Sequence, residues 1–247
     1  MRILIGGTVA AVLAAVVVGV FTLGGGGVSL ASAAESMQGK SLGATVTTSM
    51  KIEGQTVTLK GPMLQSADLK RIHMVMDGEL QGTDIGQTIV VIGEDTWVGG
   101  EALTALLPKG KRWVHTADAG LAELNALSFE ELIALVGNAT DIEDRGETEI
   151  DGKTVTHYAG TVDLEQAAKD GGLKPDAFGK GVKLMPIEVW LDEAERPVRM
   201  KTGMTVEGQK IEMTMDDLEF DVATDSIKAP PKGETVEDSE VGIFSQS

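Results

Sequence analysis

Residues 185–220 read MPIEVWLDEAERPVRMKTGMTVEGQKIEMTMDDLEF, and this stretch decides the fold. Apolar and polar residues alternate through most of it, the period-2 signature of half-buried strands. Ile187, Val189 and Leu191 fall on one side, and Asp192 to Arg196 is a polar turn. Val198, Met200, Met204 and Val206 share a side of the next strand. Glu207-Gly208-Gln209 turns the chain again, and Ile211, Met213 and Met215 line up on the third strand. The reading is an antiparallel meander with one apolar face and no catalytic set.

Working outward, the same period continues. Val46, Thr48 and Met50 share a side, and Glu53-Gly54 turns the chain into Thr56 to Leu59, a hairpin signal. Asp68 to Asp77, where Met74 and Met76 share a face, and Gln87 to Ile92 read as further strands. Glu94-Asp95 leads into Thr96-Trp97-Val98, and Lys111 to Thr116 is a strand carrying Trp113. Asp151-Gly152, set between Glu147–Ile150 and Lys153–Val162, is the strongest hairpin signal in the chain.

Helical spacing interrupts the series. Leu103, Leu106 and Leu107 form a short segment closed by Pro108. Between Ala117 and Val136 the leucines 121, 124, 127, 132 and 135 make a helical stripe. Ser128 with Glu131 is a capping box, and Gly137-Asn138 ends the segment. Asp163 caps a short helix over 164–169. The Gly-rich stretch after it has no phosphate-cradle pattern and reads as a connection. With about ten strands and two or three inserted helices, the expected class is α+β: one curved antiparallel sheet with helices packed on its concave face.

The 247 residues carry 21 bases and 38 acids, a net charge of −17. A surface this acidic disfavours nucleic acid and anionic lipid headgroups, which need clustered Lys and Arg. Aromatics are only 4%, so aliphatic residues and Met must fill the core. There are no cysteines, which excludes disulfides, thiolate metal sites, cysteine nucleophiles and Cys lipidation.

Residues 1–33 read as an export signal: Arg2, an uncharged run from Ile3 to Leu23, then Ala31-Ser32-Ala33 as a small-x-small cleavage site. The same run is long enough to stay as an anchor on the outer face of the cytoplasmic membrane. Both readings place the rest of the chain outside that membrane, in the envelope or secreted. Residues 36–231 form the expected domain, and 232–247 read as an acidic, disordered tail.

Candidate chemistry is sparse. His73, His115 and His157 lie on separate strands without metal-ligand spacing, and no G-x-S-x-G occurs. Asp216-Asp217 face opposite sides of a strand. The expectation is a non-catalytic protein, a monomer, with no cofactor or metal. Eight methionines fall in the folded region, at 63, 74, 76, 185, 200, 204, 213 and 215. Met suits surfaces that adapt to varied apolar ligands, and it equally fills ordinary cores.

Four segments carry a family resemblance: Glu94–Val98 with Lys111-Arg112-Trp113, ETEIDGKTVTHYAGTVD at 147–163, MPIEVWLDEAERPVRM at 185–200, and DSIKAP at 225–230. Here the chain resembles the actinobacterial LppX/LprG-type exported proteins, relatives in fold of the LolA lipoprotein carriers. The resemblance implies a half-open sheet closed by helices over an apolar cavity that holds acyl chains of lipids or glycolipids, for transport or presentation. It assigns the cavity lining to Met74, Met76, Val189, Leu191, Met200, Met204, Met213 and Met215 on strands, and to Leu103, Leu106, Leu121, Leu124, Leu132 and Leu135 on helices. One departure is visible: Leu30-Ala31-Ser32-Ala33 resembles a lipobox with Ala where the lipidated Cys would stand. The alternative from the residues alone is an extracytoplasmic sensor or interaction domain with a filled core.

Overall fold

The structure is a computed structural model and describes residues 39–52, 54–68, 70–117, 139–165, 184–206 and 209–243. The expected signal, the leucine stripe over 117–136, most of the helix at 164–169 and the Gly-rich connection lie outside the described residues.

The expected sheet is present. Strands β1 (Leu42–Ile52), β2 (Gln55–Gln65), β3 (Arg71–Met76), β4 (Glu79–Leu80), β5 (Thr83–Asp84), β6 (Gln87–Ile92) and β7 (Asp95–Gly99) come first. After helix α1 (Glu101–Thr104) follow β8 (Trp113–Thr116), β9 (Ala139–Ile150), β10 (Lys153–Asp163), β11 (Leu184–Leu191), β12 (Pro197–Val206) and β13 (Gln209–Phe220). A 3-10 turn (Lys232–Glu234), β14 (Thr235–Glu237) and α2 (Asp238–Val241) end the described chain.

Twelve strands form one curved, open sheet in the order β14-β8-β7-β6-β3-β2-β1-β13-β12-β11-β10-β9, and β4 pairs with β5 in a separate ribbon. Two meanders run outward from the centre, where β1 pairs antiparallel with β13 from Leu42–Phe220 to Met50–Ile211. The chain between Thr116 and Ala139 therefore joins β8, beside one edge, to β9, the opposite edge.

Turn chemistry fixes the registers. Asp151 and Gly152 both have positive φ, 51° and 76°, as the Asp-Gly signal requires, and Ile150 pairs with Lys153. Asp192 Oδ1 accepts from the amides of Ala194 and Arg196, and Oδ2 accepts from the Arg196 guanidinium at 2.7 Å. Desolvation raises the Asp192 pKa, but the Arg196 contacts outweigh it and hold the carboxyl below its ordinary value.

The core is one face of this sheet. Val189 lies opposite Met200, Met200 opposite Met215, and Met215 opposite Val46, all buried. One step along, Ile187, Thr202, Met213, Thr48 and Leu59 form the next rung, also buried. In the other half, Met63, Met74, Ile89, Val98, Val114 and Val236 make a wholly apolar rung across six strands. Burying each such side chain contributes about 1.5–3 kcal/mol.

Across β10–β13 the outer face is polar. His157 stacks on Trp190 at 4.3 Å, with Arg199 over the same indole at 5.8 Å. Arg199 pairs with Asp216, His157 with Glu188, and Lys201 and Lys210 with Glu212. Ion pairs that stay partly open to solvent contribute about 0–1 kcal/mol each, so the apolar rungs and not this ladder hold the sheet. Edge strand β9 exposes Glu143, Asp144, Glu147 and Glu149, charges that discourage another chain from adding to it.

The C-terminal expectation is corrected. Residues 232–243 are ordered: β14 pairs parallel with β8, Val236 is buried opposite Val114, and Lys111 Nζ donates to the carbonyls of Gly233 and Thr235. Acidic composition suggested disorder, but strand pairing to β8, the buried Val236 and the Lys111 bonds together seat the segment.

Candidate functional site

The apolar face is the candidate site. Met74, Met76, Val189, Leu191, Met200, Met213 and Met215 are buried on it. The register brings Val189, Met200 and Met215 side by side, with Met213 one step along. Met74 and Met76 lie in the other half, across β1 and β2. Met204 is in β12, its Cα opposite Ile211. Leu103 is half-buried in α1, and Leu106, in the turn after it, is 71% exposed. Leu121, Leu124, Leu132 and Leu135 lie outside the described residues.

Polar groups sit within this face; sequence reading placed Thr48 on it and passed over Gln65 and Thr96. Gln65 closes the buried series Val57, Leu59, Met63 on β2 and is itself 2% exposed. Thr96 is likewise buried, and Thr48 has no exposed surface. The Gln65 Oε1, Thr96 Oγ1 and Thr48 Oγ1 atoms have no hydrogen-bond partner, nor does Gln87 Nε2. A polar residue at the apolar parity of a strand was the available signal. Thr202 contrasts with them, its hydroxyl donating to the Pro186 carbonyl at 3.0 Å.

The three histidines do not converge. His73 and His115 share an outer-face rung with Val90 and Trp97 between them, about 14 Å apart at strand spacing. His157 is on β10, in the other half. Among the described residues no group of three or more His, Asp or Glu is placed to hold a metal.

His115 has a separate, local role. Its Nδ1 lies 2.8 Å from Glu237 of β14 and its Nε2 2.9 Å from Asp95 of β7, with the ring stacked on Trp97 at 4.9 Å. Burial works against the charged ring, but the two carboxylates outweigh it and raise its pKa. The stabilisation is thus fully present below the ordinary value of 6.5 and is lost as pH rises through the raised one. His73 is shifted down by burial, so it disfavours the folded state on acidification, but it sits on β3. Hydrogen exchange of the β14 amides, corrected for intrinsic rate, should quicken as pH rises through that window. His115→Gln should abolish the dependence. An unchanged pH profile in that variant would show that the pair does not seat β14.

No protein-family model matches the chain. An uncharacterized 31.2 kDa protein of Streptomyces griseus, from the rplA-rplJ intergenic region, is 28% identical over 121 residues, 38% of this chain. The chain matches 40% of that relative's length. In structure the chain is similar to LprF from Mycobacterium bovis, with TM-score 0.48 and 16% identity over 80% of this chain and 93% of that one. It is also similar to the lipoprotein LppX of Mycobacterium tuberculosis, with TM-score 0.43 and 16% identity over 80% and 93%.

Proposed function

We propose that this is a non-catalytic, extracytoplasmic protein that holds acyl chains of lipids or glycolipids against the apolar face of its sheet, for transport or presentation. The observation that carries the reading is the ladder of buried Met and aliphatic side chains running from Val189 through Met200 and Met215 to Val46. Met side chains re-pack around differing apolar ligands at little cost, which suits a chain-shaped cargo. The helical spacing of the leucines between 117 and 136 supports it further. Export rests on the N-terminal sequence, and an anchor there would keep the protein at the outer face of the cytoplasmic membrane.

Two measurements test this. Delipidated protein should take up a fluorescent fatty acid saturably, and native mass spectrometry of protein from its own host should show a bound lipid mass. Apo protein in the second assay and no uptake in the first would leave the filled-core interaction domain as the reading.

A further inference from the structure

The apolar face ends in a polar rung. Gln65, Ile72, Val91, Thr96 and Thr116 lie opposite one another across β2, β3, β6, β7 and β8, on the same side as the Met63–Val236 rung next to it. All five are buried. On this rung Gln65 Oε1 and Thr96 Oγ1 have no partner, about 14 Å apart at strand spacing. Among the described residues Thr48 is another unpartnered buried hydroxyl, but it stands between Leu59 and Met213, and the next polar group on its rung, Thr202, is already bonded to Pro186. Two unmet groups in line, next to six apolar residues, are a different arrangement.

The chemistry of the two atoms selects a ligand group. An amide oxygen can only accept, so Gln65 Oε1 is satisfied by a donor. Esters and ethers have none. A hydroxyl has one and can give it to Gln65 Oε1, while at about 14 Å the Thr96 hydroxyl is met by a second ligand hydroxyl, which accepts from it. An unsubstituted hydrocarbon leaves both atoms buried and unpaired, the situation in which binding sites discriminate most strongly.

We propose that the Gln65–Thr96 rung is a hydrogen-bonding subsite for hydroxyl groups on a bound acyl chain, so that the protein prefers hydroxylated acyl chains to unsubstituted ones. The inference rests on the lipid-binding reading above and adds to it the class of cargo and its orientation. The hydroxyl lies at the β2–β8 end, and hydrocarbon lies along Met63, Met74 and Ile89.

The test uses the full chain, delipidated, and displacement of a fluorescent fatty acid by oleate or by ricinoleate, which is oleate bearing one hydroxyl. Wild type should bind ricinoleate about tenfold more tightly, equivalent to about 1.4 kcal/mol. A double variant, Gln65→Met with Thr96→Val, should lose the preference and bind the two acids with equal affinity. In the absence of ligand it should melt above wild type, because two unpaired polar atoms have become apolar ones of similar shape. Equal affinity of wild type for the two acids overturns the subsite and leaves lipid binding standing. A preference that survives in the double variant also overturns it. So does a lower melting temperature, which would mean that the chain pairs these atoms itself. If neither acid binds, this inference and the lipid reading fall together.

Discussion

Met213→Asp is expected to cost about 4 kcal/mol or more of stability, the range in which an uncompensated buried charge falls. Met213 is buried on β13, with Thr48 of β1 on one side and Thr202 of β12 on the other. Neither neighbour supplies a positive charge, and the Thr202 hydroxyl is already committed to Pro186. The nearby cations Lys201 and Lys210 are on the outer face, held by Glu212. A carboxylate at this position must stay unpaired or take up a proton, and both are costly. The site also lies at the seam where the two meanders meet, so both halves lose their shared strand pair. Urea titration should show the midpoint displaced to low denaturant. Met213→Leu, which keeps volume and polarity, should cost under about 1.5 kcal/mol. Equal stability of the aspartate variant would mean that Met213 is not in the core.

The local parts of this fold were legible because period-2 alternation and turn residues are short-range signals. The meander from Met185 to Phe220, the Asp151-Gly152 hairpin and the strand at Trp113 all stand where their residues put them. The pairing of β1 with β13 was not legible, since the two strands lie at opposite ends of the domain and no turn joins them. The same holds for β14, whose only apolar anchor, Val236, is meaningful only beside Val114. The Met faces of the site were readable as faces. What escaped was Gln65 and Thr96, because a single polar residue ending an apolar series looks like a strand terminus until the strands beside it are known.

Gly61 should not tolerate alanine, for a reason that no pattern in the sequence announces. It sits in β2 opposite Val46, and a Cβ placed on it would lie 2.1 Å from the carbonyl oxygen of Val75. That atom is backbone, so no side-chain rotation relieves the clash. The close approach follows from the local pairing. Lys60 and Asp77 exchange backbone hydrogen bonds at 2.9 Å, while the regular β2–β3 register begins only at Met63–Met74. Gly61 lies between these two anchors, and its missing side chain lets β3 lie down on β2. Gly61→Ala must push the strands apart and loosen Met74 and Met76, which are buried just beyond. The expected cost is about 2–4 kcal/mol, with the melting temperature falling by about 5 °C or more. Gly54, which has open space at its Cβ but a φ of 83°, separates the two ways glycine can be required. Gly54→Ala strains only its own turn and should cost about 1 kcal/mol, whereas Gly61→Ala disturbs two strands. Thermal melts of the two variants side by side decide the matter, and equal small losses would show that β3 does not press on Gly61.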